Sequence, residues 1–228
     1  MRCAIMQPSF FPWLGFYNLI HQSDCFIFLD DVQFARQSWQ CRNRILINET
    51  PVWIHAGIMK SPLSSKIKDV RLKPDNLWQE KILAQLRSGY LRHPFYPEVI
   101  EFLTDLFSQR HDSLSKFNIE LILGTCKQLD LKINYKKASL MHIDKQRTSK
   151  VIGLCKAVGA TVYVAPEGSK EYLSEDKFES QTEVALTFQD YHVQEYNQLG
   201  VSNFFSHLSI VDAVMNIGWD RCRQYILI

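Results

Sequence analysis

The sequence lacks the short motifs that mark several large enzyme classes. There is no GxGxxG or Walker A run to cradle nucleotide phosphates, no HExxH zinc helix and no GxSxG nucleophile elbow. Six cysteines, at positions 3, 25, 41, 126, 155 and 222, form no CxxC and no Cys/His zinc spacing. Reduced thiols and no metal site are therefore expected. No apolar run approaches bilayer length, and Gln7-Pro8 interrupts the N-terminus before any secretory core can form. The expectation is a soluble, cytoplasmic chain without a membrane span. Charge of neither sign is in large excess: the formal net charge is +2, which gives DNA no support as the main partner. Repeats, low-complexity tracts and disordered linkers are also missing.

What remains is an ordinary globular composition, 46% hydrophobic over 228 residues. It suits a single domain over 1–228. The first 44 residues organise it. Cys3-Ala4-Ile5-Met6 reads as a buried strand, Phe16–His21 as a short helix and Cys25–Leu29 as a second strand. Strand, helix, strand is a βαβ unit, and an α/β, Rossmann-like, mostly parallel sheet follows. Pro51–Ile58 and Ile67–Leu72 read as further strands. From about 76 to 130 the apolar spacing turns helical, as in Trp78, Ile82 and Leu86, and marks a helical insertion. Strands at 132–140, 161–164 and 184–188 alternate with helices at 149–158, near Tyr172 and at 210–217. Thr148 and Ser209 stand as N-caps, with Gly159 and Gly218 as helix ends.

In open α/β sheets, ligands sit beyond the carboxyl ends of the strands. Here those ends carry Gln7 and the pair Asp30-Asp31. Gln7 leads into a loop stiffened by Pro8 and Pro12 and carrying Phe10, Phe11, Trp13 and Phe16. Most of these rings fit a core; Gln7 needs a polar partner, and a ligand is one option. Asp30 or Asp31 could accept an amine proton or act as a turn residue. Gln33, Arg36, Ser38, Trp39, Arg42, Asn43 and Arg44 follow: guanidinium groups suit phosphate and an indole face suits a base or sugar. A solvated strand with Arg42 and Arg44 on one face is the alternative. Ser149 and Gly168 lie where helices open after strands, so free amides could meet an anion there or simply be capped. Cys41, beside three arginines, is a candidate nucleophile with a lowered pKa.

The runs Gln7–Phe16, Phe28–Phe34, Arg36–Trp39 and Arg42–Ile45 resemble the WbqC-like family, and the resemblance continues through Ile152–Thr161, Lys170–Leu173 and Phe205–Asp212. That family is associated with bacterial O-antigen and other surface-polysaccharide gene clusters. The resemblance implies an N-acyl or N-aminoacyl transferase, for example a glycyl transferase, acting on a nucleotide-linked amino sugar. Asp30 or Asp31 would serve as base, with Gln7, Trp13, Trp39 and the arginines binding substrate. No tightly bound cofactor is implied. An activated donor is, carried by an acyl carrier protein, coenzyme A or an aminoacyl-tRNA. The chain departs from the family at Ala165-Pro166, where members often have Ser-Gly, and at Ser206-His207, where they often have Pro. The first departure bears on any phosphate role for Gly168. The layout is also similar to the nucleotidyltransferase-like fold, but Pro12–Phe16 holds neither histidine of its HxGH loop. A nucleotidyltransferase using ATP or CTP is the alternative enzyme; a non-catalytic partner in a polysaccharide assembly complex is the other reading.

Overall fold

A computed structural model describes residues 1–228. Four largely apolar segments and one exposed edge strand form one all-parallel sheet: β1 (Arg2–Met6), β2 (Cys25–Phe28), then the edge strand β5 (Tyr135–Lys137), β6 (Val162–Ala165) and β7 (Ala185–Phe188). A separate antiparallel hairpin joins β3 (Arg42–Ile47) to β4 (Thr50–His55). Its two-residue turn, Asn48-Glu49, has φ of 49° and 56°, the left-handed pair that matches strand twist. The parallel strands lie in the order β5-β2-β1-β6-β7. The chain builds outward from β1 to one side, then crosses over and builds to the other. That is the Rossmann-like α/β arrangement, with its switch point between β1 and β6.

Side chains alternate across each strand, and both faces are covered. Ala4, Phe26 and Phe28 join the larger core with α1 (Leu14–His21) and the helical block α2 (Leu77–Tyr90), α3 (Tyr96–Ser108) and α4 (Leu114–Gln128). Cys3, Ile5, Cys25 and Ile27 face the smaller core under α5 (Arg147–Ala157) and α6 (Lys170–Glu175). The last helix, α7 (Ile210–Ile226), packs along α1 on the first face. No helix is long and apolar enough to cross a membrane.

Three expectations change. Ile67–Leu72 is a 3₁₀ turn at Ile67–Asp69 with Ile67, Val70 and Leu72 buried; the three-residue gap between Ile67 and Val70 suits that turn better than a strand. Thr148 lies inside α5 and donates to Asp176 at 2.7 Å instead of capping. Gly218 interrupts α7 without ending it. Its φ of 75° and ψ of 171° make a kink, and a Cβ there would stand 2.6 Å from Phe95. Ser209 does cap α7, accepting from the Val211 amide, and Gly159, at φ 68°, follows the end of α5.

A buried polar knot secures α7. The carboxylate of Asp212 accepts from the Tyr90 and Tyr196 hydroxyls at 2.6 and 2.7 Å and from the Gln198 amide at 2.9 Å. The Leu46 amide donates to the Tyr90 oxygen, so the hairpin, α2, α7 and the segment after β7 meet at one point.

Candidate functional site

A cavity of about 480 Å³ opens at the switch point, beyond the carboxyl ends of β1 and β6. Gln7 and Trp13 line it from the β1 loop, Trp39 from the segment before β3, and Glu167, Tyr172, Gln189 and Tyr191 from the other half of the sheet. A larger cleft of about 920 Å³ lies elsewhere, against the C-terminal end of α2. The switch-point cavity is the better candidate because it opens at the carboxyl ends of the parallel strands, where ligands sit in open α/β sheets.

The cavity wall is held rigidly. Asn118 donates from α4 to the Pro8 and Gln40 carbonyls, and Asn43 to those of Phe10 and Phe11. These bonds fix the loop with Phe11 at a φ of 47°. Gln40 donates to the Gln7 side-chain oxygen at 2.7 Å, so Gln7 keeps its amide NH₂ for other partners. Across the cavity, Gln189 donates to the Gly15 carbonyl and to Asn18, both at 2.7 Å, and leaves its carbonyl oxygen free. The Trp13 indole lies over Gly15, where a Cβ would stand 2.2 Å from the ring. Only glycine permits that approach. Tyr191 meets Trp13 edge-on at 5.6 Å, and its hydroxyl is buried without a partner. Burial pushes its phenol well above the usual range, so it stays protonated.

Arg42 and Arg44 do not line the cavity; they project from the same face of β3, beside Trp39 and Trp53. The Arg42 guanidinium stacks 4.1 Å over Trp53, and Arg44 lies 5.8 Å from both Trp39 and Trp53. Neither arginine has a carboxylate partner, and the Nε of each is buried without an acceptor. Half-buried cations lacking counter-charges leave a standing demand for an anion. His207 lies against Trp13 with ring centroids 4.7 Å apart and planes tilted by 38°; partial desolvation, then the Arg44 charge, lowers its pKa.

The other residues singled out by sequence go elsewhere. Asp30 is buried, and its two oxygens accept from the Ser139 amide and hydroxyl at 2.9 and 2.7 Å. Asp31 pairs with Lys150 at 2.6 Å, their side chains 12% and 9% exposed. Neither aspartate lines the cavity. Each sits at a strand end away from the cavity; Asp30 is satisfied through both oxygens, and Asp31 through Oδ2 to Lys150 while its Oδ1 is buried without a partner, so neither is placed to act as base on a ligand there. Gln33 and Arg36 donate to the Leu63 and Ser61 carbonyls and tether that loop. Ser38 closes a turn onto Ala35. Buried Asn43 serves the Phe10-Phe11 loop. Ser149 is exposed near the start of α5, where Asp176 accepts from the Arg147 and Thr148 side chains and already supplies the anion. Gly168 does line the cavity, with open space where a side chain would be. Cys41 is buried, and desolvation raises its pKa more than Arg42 lowers it, the reverse of nucleophile activation.

Comparison with known proteins bears on this arrangement, since a match across both halves of the cavity would cover every lining group from Gln7 to Tyr191. The WbqC-like protein family matches residues 7–224. The chain belongs to the WbqC-like protein family. It is also similar to the uncharacterized protein Rv1507c of Mycobacterium tuberculosis, with 26% identity over 98% of this chain and 99% of that one. No solved structure matches it.

In this WbqC-like chain the second half of the cavity, Gly168 apart, was the part hidden in the sequence. Glu167, Tyr172, Gln189, Tyr191 and His207 were not singled out as binding groups. The rule that selected Gln7 also selects Gln189, the first residue past β7. Trp53 becomes visible once β3 and β4 pair, because Arg44 then stands opposite it.

Proposed function

We propose that this WbqC-like protein is an N-acyl or N-aminoacyl transferase, for example a glycyl transferase, acting on a nucleotide-linked amino sugar in surface-polysaccharide synthesis. The observation that carries the reading is the pairing of two charge types around one opening. Arg44 lies over Trp39 of the cavity wall and Arg42 over the neighbouring Trp53, both without counter-charges, while the wall holds a single carboxylate, Glu167, exposed and 3.5 Å from Lys170. A nucleotide-linked amino sugar has the complementary layout, with a diphosphate at one end and an amine at the other.

In this reading the guanidinium groups bind the diphosphate, and Trp39 and Trp53 offer faces for the base. Trp13 and Tyr191 pack on the sugar, and the Gln7 amide with the Gln189 carbonyl oxygen fixes its hydroxyls. Glu167 attracts the amine and accepts its proton, in place of Asp30 and Asp31. The amine nitrogen attacks the carbonyl carbon of a thioester or ester donor. The new C–N bond forms, the C–S or C–O bond breaks, and the proton passes by way of Glu167 to the departing thiolate or alkoxide. Rate enhancement would come from proximity and general-base help. The test is a calorimetric panel of nucleotide-linked amino sugars, the matching free nucleotides, coenzyme A and ATP. Selective binding of an amino-sugar nucleotide supports transfer. Binding of ATP alone, with pyrophosphate release, would replace it with nucleotidyl transfer.

A further inference from the structure

The segment from Met59 to Lys73 folds back on itself, with Met59 donating to the Arg71 carbonyl and Lys73 to that of Gly57. It carries Lys60, Lys66, Lys68, Arg71 and Lys73 against one acid, Asp69. All five cations are exposed. Lys68 pairs with Asp69 and Arg71 with Asp112, which leaves Lys60, Lys66 and Lys73 without carboxylate partners. Among these charges stand two apolar side chains open to solvent, Leu63 at 78% and Met59 at 48% exposure. Beside Leu63 a depression of about 400 Å³ runs between residues 33–36 and 62–63.

This surface is pre-shaped. Gln33 and Arg36 donate to the Leu63 and Ser61 carbonyls, and the Phe34 amide donates to that of Ser65. A partner meeting it therefore loses little loop entropy. Lysines surrounding an aliphatic anchor and a depression suit an acidic protein surface, in which an apolar residue seats centrally and carboxylates meet the rim. Single-stranded nucleic acid calls for stacking faces, and residues 59–73 contain no aromatic side chain. From Arg36 the chain reaches Trp39, on the cavity wall, in three residues.

We propose that this face docks an acidic carrier protein that brings the activated acyl group to the switch-point cavity. The inference rests on the transfer reading, since it names how the donor arrives.

The experiment measures binding of the full chain to a fluorescently labelled bacterial holo acyl carrier protein, with poly-glutamate and oligo-dT as competing probes. The Lys60→Glu/Lys66→Glu double variant and Leu63→Ser change only exposed side chains, so thermal unfolding should match the parent. Saturable binding is expected, weakened about tenfold by the charge reversal and about fivefold by Leu63→Ser. Absence of saturable binding overturns the proposal. So does poly-glutamate binding as tightly as the carrier, which reduces the face to charge alone, or oligo-dT binding more tightly. Amino-sugar nucleotide affinity, read on the same variants, should be unchanged. If that affinity is absent in the parent while docking holds, the cavity reading falls and the docking surface stands.

Discussion

Gln40 decides which end of Gln7 faces a ligand. The Gln40 side-chain oxygen accepts from the Ala35 amide at 3.0 Å, so its NH₂ must point the other way, toward the Gln7 oxygen at 2.7 Å. Gln7 can then present only its own NH₂ to the cavity. An amide at the end of a central strand has been given a polarity by a residue thirty-three positions away.

Gln40→Glu should reverse that polarity. One carboxylate oxygen keeps the Ala35 bond, and the other now accepts from the Gln7 NH₂, turning the Gln7 carbonyl to the ligand. Gln40 is 3% exposed, so the new carboxylate should lower stability in chemical denaturation, while the folded variant's affinity for an amino-sugar nucleotide falls about tenfold, the worth of one hydrogen bond of about 1.4 kcal/mol. An unchanged dissociation constant would remove Gln7 from the site.

Arg42→Gln and Arg44→Gln remove unpaired cations and leave the indoles in place. Each should weaken nucleoside diphosphate binding by about 1.5–3 kcal/mol, roughly ten- to a hundredfold. Added salt should weaken the parent more than either variant, because exposed charge is screened. Calorimetry at two ionic strengths checks both points, and equal salt slopes would count against an anion at this face.

Glu167→Gln separates proton transfer from binding. Turnover should drop by about a hundredfold or more with substrate affinity held within a few fold, as expected on losing a general base. Asp30→Asn should instead lower stability, since its two bonds to Ser139 are internal. A Glu167→Gln enzyme with full turnover would leave the amine without its proposed acceptor.

Lys150→Met leaves the Asp31 carboxylate, 12% exposed, without its counter-charge. The cost should be about 3–5 kcal/mol in a denaturant titration, and the double variant Lys150→Met/Asp31→Leu should recover most of it. A single variant within about 1 kcal/mol of the parent would mean that Asp31 finds solvent.

Asp212 should leave a signature in the pH dependence of stability. Burial raises its pKa above the ordinary 3.8, even with the hydrogen bonds from Tyr90, Tyr196 and Gln198 opposing the shift. Between the unfolded value and the raised one, the folded chain binds the extra proton. Its contribution to stability is complete below the unfolded pKa and is lost as pH rises through the folded one. Asp212→Asn should flatten that slope, and an unaltered profile would assign it to another group.

Much of the frame was legible in the sequence because apolar runs and helical spacing are local signals. β1, α1 and β2 followed from them, as did the helical block. The strand-end rule led to Gln7 and to Asp30-Asp31 alike, yet only Gln7 lines the cavity. What separates them is long-range: Ser139 and Lys150 lie more than a hundred residues from the aspartates they satisfy. No local pattern records such a partner. Arg42 and Arg44 were placed correctly on one face by strand alternation, but the stacking on Trp53 depended on hairpin register. Cys41 was misread because proximity to arginines in sequence says nothing of burial.

The crossover at β1 has a consequence for how the chain emerges during synthesis. β2 can pair with β1 almost at once, but the other edge of β1 waits for β6, some 160 residues later. Until then a buried-type strand edge stands open and half of the cavity does not exist. Every ribosome making this protein therefore holds, for most of its transit, a half-sheet with an exposed template for mispairing.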